Sequence, residues 1–212
     1  ITCTSSNAKA VIDWSWARRE KILFFPDEHL GRNTANKMGL AKEEMIVWDP
    51  FQPNGGNTRG AIQRAKLILW KGHCSVHQMF QPVHVDNFRK QYPEGKVIVH
   101  PECHEDVVNK ADLSGSTEFI IKTVTAAPAG TAWAVGTELN LVNRLKRNLT
   151  DKKVFFLSST VCQCATMFRI DGAHLCWAME NLVDGHVVNH IVVPDDEKHW
   201  ARVALDRMMS VS

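Results

Sequence analysis

The sequence predicts an α/β fold made of parallel β-sheets flanked by helices. Short apolar runs bounded by turn residues, such as residues 66–70 and 96–99, are typical of buried parallel strands. These runs alternate with helical segments along the chain, and no antiparallel hairpin signal joins them. Such an alternation implies parallel sheets whose strands are connected by right-handed crossovers.

The first half of the chain contains four predicted strands. We expect a strand end at residues 1–4, followed by a helix to about Arg19 that Ser5 or Asn7 caps. Further strands are predicted at residues 22–25, 45–48 and 66–70, with helical segments ending at Met38 and spanning residues 61–65. Residues 49–60 contain two Pro, three Gly and two Asn, which predicts a loop.

The second half repeats the order of strand, turn and helix. Strands are predicted at residues 96–99, 111–113, 131–135, 154–157 and 190–193. Helices are predicted at residues 105–109, 115–124, 136–147 and 173–182, with a last helix from Asp195. A turn rich in hydroxyl groups precedes the helix in more than one of these units.

The composition indicates a globular protein. Of the 212 residues 44% are hydrophobic, and the net charge of +2 is too small to indicate a nucleic-acid partner. No run approaches the roughly 18 apolar residues of a membrane span, and no signal peptide is apparent. The six widely spaced cysteines favour a reducing compartment, so we predict a soluble, cytoplasmic protein. Because the chain begins with Ile1 rather than Met, we expect a fragment.

Reactive side chains follow two neighbouring predicted strands. Cys74 and two His residues come after one strand, and His100 and Glu102 come after the next. Ligands bind outside the carboxyl ends of parallel strands, so we expect these side chains to converge. His100 and Glu102 flank Pro101, which fixes the turn, and they are candidates for a catalytic acid and base. A purely hydrogen-bonding role for the histidine is the alternative.

Two further groups of residues are candidates for binding. Cys74 and Cys164 each follow an apolar strand, which suits thiolates that share an iron or zinc site. The alternative is a cysteine packed as a small hydrophobic residue, which is our interpretation of Cys176, whereas Cys162 fits either description. Hydroxyl groups at helix N-termini indicate a cradle for phosphate or carboxylate, with capping alone as the alternative. These hydroxyl groups belong to Ser5, Ser6, Ser116 and Thr117.

Seven short motifs, in order along nearly the whole chain, resemble the quinolinate synthase family. They are Cys3-Thr-Ser-Ser-Asn-Ala8, Pro26-Asp27 with Leu30-Gly31-Arg32, Gly72-His-Cys-Ser-Val-His77, His100-Pro-Glu-Cys103, Ala111-Asp112 with Gly115-Ser-Thr117, Thr137-Glu138, and Cys164-Ala-Thr-Met167. No single motif decides the resemblance, but seven in register make it specific.

The resemblance implies an oxygen-sensitive enzyme of NAD biosynthesis that contains a 4Fe-4S cluster. Members of the family condense iminoaspartate with dihydroxyacetone phosphate to quinolinate and release phosphate and water. Their fold consists of three similar αβα sandwiches around a pseudo-threefold axis, and each sandwich contributes one cluster cysteine. The resemblance also implies a transient contact with the enzyme that produces iminoaspartate, and no membrane or nucleic-acid partner.

Particular roles follow for the residues that match the family motifs. The resemblance makes Cys74 and Cys164 cluster ligands from the second and third sandwiches, and it gives Glu102 the acid–base steps together with His100. The substrate-binding residues that it implies are Ser5, His100, Ser116 and Thr117. The Cys-Gly-Val stretch that holds the third ligand in the family is absent from this sequence.

The resemblance also implies how the chain divides. Residues 1–75 match the second sandwich without its first strand, residues 76–163 match the third, and residues 164–212 form a C-terminal segment that packs toward the absent first sandwich. The chain therefore resembles the C-terminal two thirds of the enzyme, and we expect it to be inactive alone. The chain departs from the family pattern in a longer loop at residues 49–60 and in having Cys164-Ala165 where the family often has Cys-Pro. Because Cys162 also lies close by, the choice of Cys164 over Cys162 as the ligand rests on the spacing to Met167.

Two other functions stay open at this point. One is a different 4Fe-4S dehydratase. The other is a non-catalytic α/β module that binds an anion through its hydroxyl-rich turns, with its cysteines buried or bound to zinc. Iron and sulfide analysis separates the binding module from the enzymes, because the module contains neither element.

Overall fold

The computed structural model describes residues 1–161 and 163–211, and its strands form two parallel sheets. The first sheet has the order β1-β3-β2, with β1 (Ile22–Phe24), β2 (Met45–Trp48) and β3 (Leu67–Trp70). The second has the order β5-β4-β6-β7, with β4 (Lys96–Val99), β5 (Leu113–Ser114), β6 (Ala132–Gly136) and β7 (Lys153–Phe156). Every neighbouring pair is parallel, which confirms the predicted α/β fold class.

Helices connect the strands and extend beyond the second sheet. They are α1 (Ala8–Trp16), α2 (Glu28–Lys37), α3 (Arg59–Arg64), α4 (Ser75–Gln78), α5 (Pro82–Gln91), α6 (Glu105–Lys110), α7 (Thr117–Ala126), α8 (Leu139–Asn148), α9 (Gly172–Val183) and α10 (Asp195–Met209). Short 3-10 turns lie at Lys42–Glu44, Pro53–Gly56 and Met167–Arg169. In the described ranges, no helix has the length and apolar content needed to cross a bilayer.

One face of the first sheet packs against α1 and α2. Leu67 and Leu69 of β3 are fully buried in a cluster with Ile12 of α1 and Ala35 of α2. Burial of one such leucine contributes about 1.5–3 kcal/mol. Side chains alternate between the two faces of a strand, and Leu23 of β1 is 51% exposed on the other face. The described chain therefore covers the second face of this sheet incompletely.

Both faces of the second sheet are covered by helices. Val97 and Val99 of β4 pack in one cluster with side chains of α5 and α6. Ile98 points the opposite way and packs with side chains of α7 and α8. Because β4 is central and covered on both faces, its three last residues are all fully buried. This sheet and its helices form three αβα layers.

The prediction of two strands is wrong. Residues 1–4 and 190–193 have no regular structure, and Ile191 and Val192 are 83% and 75% exposed. A short apolar run becomes a strand only where a neighbouring strand pairs with it, and no strand in the described part of the chain does so here. The strand predicted at residues 111–113 is observed as β5, slightly later in the chain.

The last part of the chain lies outside the buried core. None of the described residues from 159 to 211 is buried, although this part contains α9 and α10. The three clusters of buried apolar side chains all lie between Ala8 and Leu157. The two sheets and their helices thus form the core of the described structure.

Candidate active site

The turn after β3 presents Cys74 at the start of α4. Cys74 is the N-cap residue of this helix, and its backbone N–H donates a hydrogen bond to Asp27 Oδ2 at 3.0 Å. The other carboxylate oxygen of Asp27 accepts the N–H of Leu30 at 2.7 Å and caps α2. A Cβ atom at Gly72 would collide with the carbonyl oxygen of Pro26, so only glycine fits there. The turns after β1 and β3 are therefore fixed against each other.

The turn after β4 presents His100 and Glu102. The His100 N–H donates to the Gly136 carbonyl at 3.0 Å, which extends the pairing of β4 with β6. Asn33 of α2 donates two hydrogen bonds of 2.8 Å from its amide nitrogen, one to the Pro101 carbonyl and one to the Cys103 carbonyl. Helix α2, which packs on the first sheet, thus holds a turn of the second.

His77 links the two turns. Its Nδ1 lies 3.0 Å from Glu102 Oε2, and its Nε2 lies 3.2 Å from Thr137 Oγ1. The imidazole rings of His77 and His100 are stacked, with centroids 4.5 Å apart and planes inclined by 17°. Both rings are buried. The side chains that follow β3 and β4 therefore lie together with the Thr137 hydroxyl that follows β6.

The two stacked histidines have opposite pKa shifts. Burial disfavours a charged His77, but its hydrogen bonds to Cys74 and Glu102 outweigh burial and raise its pKa to about 9. Burial and the nearby charge of His77 lower the pKa of His100 to about 4. At neutral pH the pair consists of one imidazolium and one neutral imidazole.

The acidic partners of His77 are stabilised in their ionised forms. Burial acts to raise the pKa of Glu102, but the hydrogen bond from His77 and the positive charge of His77 lower it overall. The hydrogen bond from His77 lowers the pKa of the Cys74 thiol in the same way. The Glu102 carboxylate is therefore ionised at neutral pH and can accept a proton, whereas neutral His100 can accept or donate a hydrogen bond.

These groups line a cavity of about 640 Å³. Five residues singled out from the sequence line it, namely Cys74, His100, Glu102, Thr117 and Cys164. Ser5 and Ser116 are not among the lining residues. The Ser116 hydroxyl accepts the N–H of Phe119 at 3.3 Å, which is the capping role weighed as its alternative. Ser5 lies in the turn before α1.

Sequence reasoning missed two arginines at the cavity. Arg144 and Arg147 project from the exposed side of α8, because Val142 and Leu145 on the opposite side are buried. The spacing of the apolar residues in this helix could have predicted which of its side chains face away from the core. His77 is one of the two His residues after β3 that we expected to converge with His100 and Glu102, but the sequence assigned it no role of its own. It follows Cys74 by three residues, the spacing that places side chains on one face of a helix.

The cysteines divide into two groups by environment. Burial raises the pKa of the Cys103 thiol and that of the Cys3 thiol, so neither is a ready thiolate. Cys164 lies at the cavity, where hydrogen bonds from Thr166 and from the Met167 N–H lower its pKa. The prediction about Cys162 lies outside the described residues.

The donor chemistry at the cavity fits part of an iron–sulfur site. Clusters of this type are held by cysteine thiolates, and Cys74 and Cys164 both line the cavity with a lowered pKa. Two thiolates are one fewer than the three that the family resemblance implies. Among the described residues at the cavity, no other cysteine is present.

Comparison with known proteins decides the family. The family model described as "Quinolinate synthetase A protein" matches residues 1–210. The chain belongs to this family. The match covers nearly every residue of the chain and confirms the resemblance seen in the seven motifs.

Several curated quinolinate synthases are similar to the chain over its whole length. That of Rhodopirellula baltica is 56% identical over 212 residues, which are 100% of this chain and 54% of the relative. That of Acidobacterium capsulatum is 55% identical and covers 100% of this chain and 57% of the relative. That of a Nocardioides species is 53% identical, with 100% and 55% covered. The chain thus spans about half the length of these relatives.

Proposed function

We propose that the chain is part of a quinolinate synthase, which condenses iminoaspartate with dihydroxyacetone phosphate to quinolinate in NAD biosynthesis, with loss of phosphate and water. The observation that carries the proposal is the convergence of His77, His100 and Glu102 with Cys74 at one cavity. Membership of the quinolinate synthase family supports the same reaction. Its class is that of a transferase that forms a pyridine ring.

Glu102 is the proposed base for the proton transfers of ring formation. Its carboxylate is ionised and lines the cavity, while His77 donates a hydrogen bond to it at 3.0 Å. His77 is itself held by Thr137, so the carboxylate has a fixed orientation toward the cavity. Positioned acids and bases typically accelerate proton transfer by about 10²–10⁴-fold.

Neutral and cationic groups are available for the anionic substrates. Iminoaspartate carries two carboxylates, and dihydroxyacetone phosphate carries a phosphate. Arg144 and Arg147 supply positive charge, and an arginine fork matches the geometry of either anion. Thr117 offers a hydroxyl group at the N-terminus of α7, where backbone N–H groups favour an anion. His100 is neutral and can hydrogen-bond a substrate without a proton change.

Cys74 and Cys164 are the proposed ligands of a 4Fe-4S cluster, with a third thiolate from outside this chain. Such a cluster supplies an iron without a protein ligand, which acts as a Lewis acid for dehydration. In this proposal the cavity residues bind the substrates, His77 holds Glu102 in place, and Glu102 accepts the protons that are released in ring formation. Ser5 and Ser116 keep their proposed substrate-binding role only in the sense of the family resemblance, because neither lines the cavity.

The organisation of the whole enzyme is proposed from the same resemblance. Residues 1–75 and 76–163 are the proposed second and third sandwiches, and residues 164–212 are the segment proposed to pack toward the first. A transient contact with the enzyme that produces iminoaspartate and a cytoplasmic location are also proposed. The spacing of the cysteines, typical of a reducing compartment, supports that location.

The substitution Glu102→Gln in the full-length enzyme tests the proposal. Glutamine keeps the shape and the hydrogen-bond acceptor but removes the charge, so we expect turnover to fall about 100-fold or more. The cluster absorbance should be unchanged, because this residue is not a proposed cluster ligand. Initial rates of quinolinate formation and the visible spectrum measure the two effects.

The matched control is Glu94→Gln, in the exposed turn before β4 at the opposite end of the strand. It removes the same charge away from the cavity and should leave turnover unchanged. Undiminished turnover in Glu102→Gln would remove Glu102 from the mechanism. A full-length protein that contains neither iron nor sulfide after anaerobic purification would instead favour the anion-binding module.

A further inference from the structure

Three potential metal ligands lie together at the base of the cavity. A ligand atom of Cys74, one of His77 and one of Glu102 all lie within 4.8 Å of one another. The His77 Nδ1 and Glu102 Oε2 atoms are 3.0 Å apart. In a tetrahedral zinc site, with bonds of about 2.0–2.3 Å, neighbouring ligand atoms are about 3.2–3.8 Å apart. Small side-chain adjustments therefore place the three atoms around one ion.

The surroundings hold these ligands in suitable orientations. Metal-binding histidines usually donate their second ring N–H to a neighbouring group, and His77 Nε2 lies 3.2 Å from the Thr137 hydroxyl. That hydrogen bond leaves Nδ1 facing Glu102 and Cys74. The Asp27 carboxylate accepts the N–H of Cys74, and Asn33 holds the turn that carries Glu102. All three ligands are thus anchored from outside the site.

We propose that Cys74, His77 and Glu102 form a mononuclear site for a divalent transition-metal ion of the Zn²⁺ class, with a fourth position open to the cavity. A thiolate and an imidazole select such an ion over Mg²⁺ or Ca²⁺. The two negative ligands neutralise the ion, and His77 releases its Nδ1 proton to water as it binds. No electron is transferred.

The site competes with the iron–sulfur cluster for Cys74. This consequence rests on the proposed function, in which the same thiolate is a cluster ligand. The mononuclear site is therefore available only in cluster-free enzyme, and an ion bound there occupies Glu102 as well. Zinc added before reconstitution should lower cluster incorporation in proportion to its occupancy of this site.

Cobalt titration of the full-length enzyme, purified anaerobically without its cluster, tests the site. Tetrahedral Co²⁺ bound to a thiolate has intense visible d–d bands and a sulfur-to-metal charge-transfer band in the near ultraviolet. We expect Cys74→Ser to abolish the charge-transfer band. His77→Asn and Glu102→Gln should each weaken Co²⁺ binding by about 100-fold, and Thr137→Val by about 10-fold or more, as for an outer hydrogen-bond partner. Far-ultraviolet circular dichroism checks that each variant is folded.

Two controls separate this proposal from the proposed function. Cys164→Ser removes the other proposed cluster ligand but should leave the Co²⁺ spectrum unchanged. Cys176→Ser removes an exposed thiol that lies 3.4 Å from the Glu180 carboxylate. This variant controls for Co²⁺ bound at a surface thiol and should also leave the spectrum unchanged. Loss of the spectrum in Cys164→Ser, or wild-type affinity in His77→Asn, would overturn the mononuclear site. Neither result would contradict the quinolinate synthase reaction, which the turnover of Glu102→Gln tests separately.

Discussion

Residues 1–158 and the described residues beyond them differ in where their stability comes from. Helices α9 and α10 have 12 and 15 residues, and they are longer than any helix that packs on the sheets. They nevertheless contain no buried residue, and Trp200 of α10 is 65% exposed. The shorter helices of the first region each contribute to a buried cluster or connect strands that do. Helix length is therefore a poor guide to packing in this chain.

The difference also divides the cavity. Cys74, on the firmly packed side, has its backbone bonded to Asp27 and its turn pressed against the turn after β1. Cys164, on the other side, belongs to the part of the chain without buried residues. Isolated helices gain little stability without tertiary contacts. One wall of the cavity thus rests on the core and the other on a segment with little packing of its own.

The largest expected effect concerns the cluster in the 212-residue chain alone. Two cavity thiolates, one of them on the weakly packed side, should not retain a 4Fe-4S cluster, so we expect no cluster and no quinolinate. Iron counting and a product assay after anaerobic reconstitution measure both. Roughly four irons with product formed would show that the chain supplies its own third ligand, with Cys3, Cys103 or Cys162 as the candidates.

The next effect is on global stability. Phe80 is fully buried in the second sheet's core, so Phe80→Ala should lower the free energy of unfolding by about 3–5 kcal/mol. The matched change Phe168→Ala, at a side chain that is 38% exposed, should alter it by less than about 0.5 kcal/mol. Urea unfolding followed by circular dichroism compares the two. Equal losses would show that the C-terminal part shares the core's stability.

The smallest effect compares two aspartates that cap helices. Asp27 accepts the N–H of Leu30 in α2, and Asp171 accepts the N–H of His174 in α9 at 2.8 Å. Asp27→Ala should lower the free energy of unfolding by about 1–2 kcal/mol, because its helix packs on the core. Asp171→Ala should leave unfolding unchanged and only accelerate amide exchange in α9. A global loss from Asp171→Ala would contradict the division of the chain.

Much of the fold followed from the sequence, because buried parallel strands have a distinct apolar pattern. The positions of β3 and β4 were predicted closely, and the expectation that the side chains after them converge agrees with the contact between His77 and Glu102. The pattern failed at residues 1–4 and 190–193, because an apolar run does not reveal whether a partner strand exists. Whether an apolar run is buried in a sheet depends on the tertiary structure, which brings a second strand beside it.

The candidate site was predictable only in part, for a similar reason. Ser5 and Thr117 both carry a hydroxyl group near the start of a helix, yet Thr117 lines the cavity and Ser5 does not. Which helix N-terminus faces the cavity depends on how the layers are stacked. Arg144 and Arg147 reach the cavity because the buried apolar side of α8 fixes which side of the helix faces the cavity. The positive charge of these residues does not by itself indicate that orientation.

The side-chain amide of Asn33 makes it costly to combine the two sheets from different relatives in one protein. It satisfies two carbonyl groups of the His100–Cys103 turn, which lies about seventy positions later in the sequence. A hybrid gene that takes α2 from one relative and this turn from another keeps the bonds only if the parent that supplies α2 has asparagine at this position and the turn keeps its place against α2. Otherwise each buried carbonyl left without a partner costs about 1–3 kcal/mol, and the penalty appears at the His100–Cys103 turn rather than at the junction. Crossovers between distant homologues should therefore be tolerated better outside the interval from α2 to α6 than within it.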